Sequence, residues 1–167
     1  PPEADICAVA NLPYYITTPA ISALIDSGCF RSVTVMVQRE VAARICAAPG
    51  TADYGAFSVY IAYHAKAEII LDVPRTCFIP APNVDSAVVR LDRLGSPPVG
   101  VARDKLFFVV KAAFSQRRKT LVNCLTAALQ GKMNKAEVEG LLTRRGFDPK
   151  VRGEALGLPQ FAQIAEN

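Results

Sequence analysis

The chain holds 167 residues, 51% hydrophobic and 20% charged, which suits one folded domain with a real core and excludes disorder as a whole-chain description. No apolar run is long enough to span a bilayer, and the opening PPEADICAVANLPYY is no signal peptide. The net charge of +4 is uneven: residues 1–99 carry seven Lys/Arg against nine Asp/Glu, and residues 100–167 carry twelve against six. A basic carboxyl-terminal segment on a near-neutral body points either to a polyanion partner or to a solvated helical surface.

Five cysteines (Cys7, Cys29, Cys46, Cys77, Cys124) are odd in number and lack C-x-x-C spacing, so they form neither a disulfide framework nor a zinc site. Thiols used as small core residues fit a reducing, cytoplasmic setting. The single histidine, His64, excludes a multi-histidine metal centre and reads as structural within GAFSVYIAYHA. Neither G-x-G-x-x-G nor G-x-x-x-x-G-K occurs, so no phosphate-cradling loop is present.

In chain order, Ile6 to Ala10 is a short apolar run that predicts a buried strand, ending at Asn11-Leu12-Pro13-Tyr14. Pro13 and Pro19 force a loop there. Thr18 is positioned to cap a helix with Pro19 at its first turn, running through Ala20–Ile25 and stopping near Gly28. Residues 32–37 are β-branched and continuous, as in a strand buried on both faces. Helices are predicted over 39–47 and 55–65, and strands over 68–73 and 87–91 joined by the proline-rich loop 74–86. Alternating strands and helices predict α/β with a largely parallel sheet, the last two strands forming an antiparallel pair.

Leu94-Gly-Ser-Pro-Pro-Val-Gly100 reads as a linker. Beyond it, 104–114, 118–130, 135–144 and 158–166 predict helices, with Gly131 and Gly146 as stops. Two domains follow: 1–95, part of an α/β sheet domain, and 96–167, a small helical domain. Four strands would leave an exposed sheet edge, so residues 1–95 are expected to be the second half of a longer domain.

Three stretches carry chemistry. Asn11-Leu12-Pro13-Tyr14 lies at the carboxyl end of a strand, where open α/β sheets place ligands. A flipped nucleobase needs an aromatic face and acceptors for its exocyclic amine. Tyr14 offers the face, and the Asn11 side-chain oxygen and Leu12 carbonyl offer two acceptors converged by Pro13. An ordinary proline turn with a buried tyrosine has the same residues. In the second stretch, residues 77–86, Phe78 is either the opposite wall of an aromatic sandwich or a core anchor for the loop; Asp85 and Ser86 read as turn residues. The third stretch, residues 113–120, places Arg117, Arg118 and Lys119 at a predicted helix start, where the dipole disfavours cations unless an anion such as phosphate is bound. Arg144, Arg145, Lys150 and Arg152 extend the patch; a solvated basic face is the alternative.

Taken together, NLPYYITTP (11–19), VMVQREVAARI (35–45), YGAFSV (54–59), FIPAPNVDSAVVRL (78–91), AFSQRRKTLVN (113–123) and RGEALGL (152–158) resemble the ribosomal RNA adenine dimethyltransferase family. The resemblance is in particular to bacterial members that dimethylate two adjacent adenines near the end of small-subunit RNA. The resemblance implies the carboxyl-terminal half of a class I (Rossmann-like) methyltransferase sheet domain, followed by a small all-helical RNA-binding domain. It implies S-adenosylmethionine as the methyl donor and small-subunit ribosomal RNA, in a 30S-type pre-ribosomal particle, as the partner. By position, Asn11 would border both donor and target amine, Leu12, Pro13 and Tyr14 would hold the adenine, and Phe78 would stack on it. Gln116, Arg117, Arg118, Lys119, Arg144 and Arg145 would lie on the RNA side.

The family's glycine-rich donor loop and its ribose-holding acid precede the strand that ends at Asn11, and neither is in this chain. An amino-terminally truncated enzyme is therefore expected, with weak donor binding and no activity by itself. Two alternatives stand beside this reading: a large-subunit RNA adenine methyltransferase that confers antibiotic resistance, and a non-catalytic nucleic-acid-binding module of the same fold.

Overall fold

The computed structural model describes residues 6–166. They form two compact units, one of residues 6–47 and 61–97 and the other of 48–60 and 98–166. The division after Pro97 falls inside the Pro/Gly linker. Segment 48–60, expected with the sheet, belongs instead to the helical unit.

The first unit is built on strands β1 (Cys7–Asn11), β2 (Ser32–Gln38), β3 (Ala65–Val73) and β4 (Ser86–Arg93), in the order β1-β2-β4-β3. Only β1 and β2 are parallel; β2 with β4 and β4 with β3 are antiparallel. The expectation of a largely parallel sheet is thus corrected. A short loop rather than a helix joins β3 to β4, which permits only antiparallel pairing between them, and β4 then inserts beside β2. Burial separates β4 from β3: β4 buries Ser86, Ala87, Val89 and Leu91, whereas residues 68–72 of β3 are all exposed, Glu68 and Asp72 among them, as suits a sheet edge.

Register pairs Val33 with Leu91, Val35 with Val89 and Val37 with Ala87 on one buried face. Helix α1 (Thr17–Asp26) packs there against β2 with Ile21 and Ile25 buried, and α2 (Arg39–Ile45) packs against β2, β3 and β4 with Ala42 and Ile45 buried. Helix α1 starts at Thr17 rather than at a Thr18 cap. A 3-10 turn over Tyr14–Ile16 leads directly into it, and no side chain caps it. The Thr17 hydroxyl instead donates to the Tyr14 carbonyl at 3.1 Å, binding helix to turn. Gly28 ends the segment at φ +69°, a left-handed conformation that glycine adopts without strain.

Helix α3 (Ala56–His64) runs from residues of the second unit into the first. The second unit is all helical: α4 (Arg103–Ala113), α5 (Leu121–Leu129), α6 (Lys135–Arg144) and α7 (Leu158–Ala165). Its core gathers Leu106, Val110, Leu121, Leu142 and Phe161. Helix α5 begins three residues later than expected, because Thr120 caps it by accepting the Asn123 N–H. Asn134 and Glu137 form a reciprocal capping box on α6. Gly153 is required by contact: a Cβ there would lie 2.9 Å from the Ala113 carbonyl oxygen.

Tyr54, from segment 48–60, is buried edge-on against Phe114 and donates its hydroxyl to the Leu156 carbonyl at 2.9 Å. Burial pushes its pKa up from 10.0 to about 12. The folded state therefore holds this proton more tightly, a contribution fully present below pH 10 and lost as pH rises through about 12. Tyr54→Phe is expected to cost about 1 kcal/mol at neutral pH through the lost hydrogen bond. Denaturant titrations should then show a shallower fall of stability above pH 10 in Tyr54→Phe than in the parent protein. Parallel curves in that window would contradict the assignment.

Candidate functional site

Strand β1 stops where Pro13 (φ −58°, ψ 133°) turns the chain. The ladder to β2 extends one residue further, Leu12 N–H donating to the Met36 carbonyl at 3.4 Å. Ile16 N–H then donates to the Pro13 carbonyl at 3.1 Å, tightening residues 13–16 into the 3-10 turn. This places the Asn11 side chain, the Leu12 backbone and the Tyr14 ring on a short, hydrogen-bonded corner.

The facing loop runs from Pro74 to Asp85. It opens with a 3-10 turn over Arg75–Cys77 and contains a cis Ile79–Pro80 bond. The Asp85 carboxylate accepts the Arg75 N–H at 2.9 Å and so ties the two ends of the loop together. The Asp85 carbonyl accepts the Arg39 N–H at 3.0 Å, fixing the loop to the start of α2. Asp85 is thus the turn residue the sequence predicts.

Corner and loop border one open cleft of about 320 Å³, lined by Asn11, Leu12, Pro13, Tyr14, Phe78, Pro80 and Pro82. All five residues predicted to act on a base therefore line a single space. Tyr14 and Phe78 supply two half-buried aromatic rings. Asn11 is exposed, and among the described residues its side-chain amide makes no hydrogen bond, so its oxygen is available as an acceptor. Ser86, read from the sequence as a turn residue, has a further contact: its hydroxyl meets the Tyr14 hydroxyl at 2.8 Å. These positions are 72 residues apart, and no local pattern signals the pairing.

The basic residues divide into two groups. Arg117 bonds Glu154 through Nε at 3.2 Å and donates to the Ala52 carbonyl. Arg152 also reaches Glu154, at 4.0 Å. Arg145 donates to the carbonyls of Gln163 and Ile164, the latter at 2.8 Å, while its own carbonyl accepts from Gln163. Gln116, Arg118, Lys119 and Arg144 are exposed, and among the described residues their side chains make no hydrogen bond or ion pair. Arg118 and Lys119 lie in the turn before Thr120, just outside the helix start rather than within it.

Among the described residues, no group of three or more His, Cys, Asp and Glu side chains is placed to hold a metal ion. No described helix is long and apolar enough to cross a membrane.

A family model described as ribosomal RNA adenine dimethylase matches residues 2–160. The chain belongs to the ribosomal RNA adenine dimethylase family. Among curated relatives, ribosomal RNA small subunit methyltransferase A of Anoxybacillus flavithermus is 49% identical over 165 residues. The protein of the same name from a Geobacillus species is 51% identical over 164 residues. The alignments cover 97% and 96% of this chain, but the chain spans only 56% of the length of each relative. Two solved structures share the fold at 24% identity. A dimethyladenosine transferase from Plasmodium falciparum has a TM-score of 0.81, covering 95% of this chain and 64% of its own. The 23S rRNA methyltransferase ErmE has a TM-score of 0.70, covering 99% and 66%. Both share the mixed α/β sheet and helices described above.

Arg145 sits where a cation complements the carboxyl end of α7. Arg145→Ala is expected to lower stability by about 1–2 kcal/mol, measured by denaturant unfolding. Arg118→Ala should change it by less than about 0.5 kcal/mol. Equal effects would contradict the division between engaged and free cations.

Proposed function

We propose that this chain is the base-binding and RNA-docking part of an S-adenosylmethionine-dependent enzyme that dimethylates adenines of small-subunit ribosomal RNA. The observation that carries the reading is the single cavity shared by Asn11, Leu12, Tyr14 and Phe78. In it an extruded adenine lies between the two rings, and its exocyclic amine donates one hydrogen to the Asn11 side-chain oxygen and one to the Leu12 carbonyl. Both bonds hold the nitrogen in place and localise its lone pair away from the ring. Alignment for attack then provides most of the rate that this part of the protein contributes. The proton leaves after transfer, so no general base is needed.

When bound, S-adenosylmethionine supplies an electrophilic methyl group. Of the residues here, Asn11, exposed at the carboxyl end of β1, fits the border between donor and amine. The remaining donor contacts are assigned to residues outside this chain. Two observations support this: the outer edge of β1 pairs with no strand among the described residues, and the chain spans only 56% of the length of its curated relatives. On this reading the chain alone binds the donor weakly and transfers no methyl group. Arg118, Lys119 and Arg144, with Gln116, take the RNA phosphates, in a cytoplasmic 30S-type particle. The high identity to proteins named for the small subunit favours that RNA over the large-subunit alternative.

In the full-length protein, Asn11→Ala is expected to lower methyl transfer to small-subunit RNA at least a hundredfold, read by incorporation of labelled methyl. Full activity of that variant would leave a nucleic-acid-binding module as the better reading. For docking, Lys119→Ala should weaken RNA binding and reduce the slope of log K against log salt by about one. An unchanged slope would remove Lys119 from the phosphate contacts.

A further inference from the structure

We infer that Ser86 is a positioning residue that sets the plane of the Tyr14 ring, an inference that rests on the adenine site proposed above. Ser86 is fully buried and is the first residue of the interior strand β4. It stands opposite Gln38 of β2 on one side and Val73 of β3 on the other. Sheet pairing on both sides makes it among the most constrained backbone positions near the cavity. Its hydroxyl meets the Tyr14 hydroxyl at 2.8 Å. The corner that carries Tyr14 is joined to the sheet through β1, an edge among the described strands, and through the Leu12 N–H bond to Met36 of β2. The hydroxyl pair is a further tether, from the Tyr14 side chain itself to the interior strand β4.

A phenol held at both its Cβ and its oxygen has lost its ring swing. The ring is left as a fixed face rather than a mobile side chain. The same contact engages the Tyr14 hydroxyl, so this oxygen acts as an anchor and the target amine is left to Asn11 and Leu12. The preceding residue, Asp85, closes the loop that carries Phe78. Two consecutive residues thus hold the two aromatic walls: Asp85 through the loop ends, and Ser86 through the tyrosine.

The test uses the full-length protein, with Ser86→Ala, Tyr14→Phe and the double variant. The substrate is small-subunit RNA; the binding probe is a short RNA with 2-aminopurine at the target position. Each single variant should lower kcat about five-fold, the loss of one hydrogen bond. The KM for S-adenosylmethionine should stay unchanged, and the double variant should be no worse than either single. Quenching of 2-aminopurine should weaken in the variants while RNA affinity, read by anisotropy, holds. Wild-type kcat and quenching in both variants would overturn the role of Ser86, even with a lowered melting temperature in Ser86→Ala. So would additive losses in the double variant. Undiminished methyl transfer by Asn11→Ala, which removes the amine acceptor without touching the hydroxyl pair, would instead overturn the adenine site itself.

Discussion

Strand pairing decides where the chemistry can be. Because β4 runs antiparallel to both its neighbours, its first residue lies beside the last residues of β2 and β3, Gln38 and Val73. Strand β1, parallel to β2, ends at the same edge, with Asn11 beside Met36. The loop from Pro74 to Asp85 is thereby delivered to the end of the sheet where Asn11-Leu12-Pro13-Tyr14 leaves it. Had β3 and β4 exchanged places, the loop would still turn at this end, but Ser86 would stand one strand further from β1 and Tyr14. The alternating buried positions of β4, Ala87, Val89 and Leu91, suit its interior place, and the exposed run 68–72 suits β3 at the edge.

On this frame, the site is assembled mostly from backbone constraint. Pro13 bends the chain, Ile16 N–H and the Thr17 hydroxyl bond back to it, and Asp85 gathers amides from Arg75 and Arg39. A planar base needs parallel walls at a fixed gap, and such walls are best held by short loops with few free torsions. The basic residues of the helical unit are used differently. Arg117 and Arg145 are held against carbonyls and, for Arg117, Glu154, so part of the positive charge stabilises the unit. Arg118, Lys119 and Arg144 project outward without such partners among the described residues.

The proline and glycine punctuation made most elements legible in the sequence. The limits of α6 at 135–144 and the start of β2 at Ser32 match the residue patterns directly. The two site loops were also legible, since an asparagine, an aromatic and closely set prolines each have a local meaning. Strand order was not, because it depends on pairings between strands distant in sequence, which no local pattern reports. The start of α1 was misjudged because a threonine-proline pair signals a cap, while the turn at Tyr14–Ile16 feeds the helix without one. The partners of Arg117 lie 37 and 65 residues away, those of Arg145 18 and 19, and that of Ser86 72, beyond the reach of any local rule.

The central claim is that the corner after β1 and the loop before β4 grip one adenine by its faces and its amine. A crystal structure of the full-length protein soaked with adenosine tests it most directly. The account predicts the purine between Tyr14 and Phe78, with its exocyclic nitrogen within hydrogen-bonding distance of the Asn11 side-chain oxygen and the Leu12 carbonyl. Adenosine seated outside this cavity, or inside it with the amine turned away from Asn11, would contradict the account.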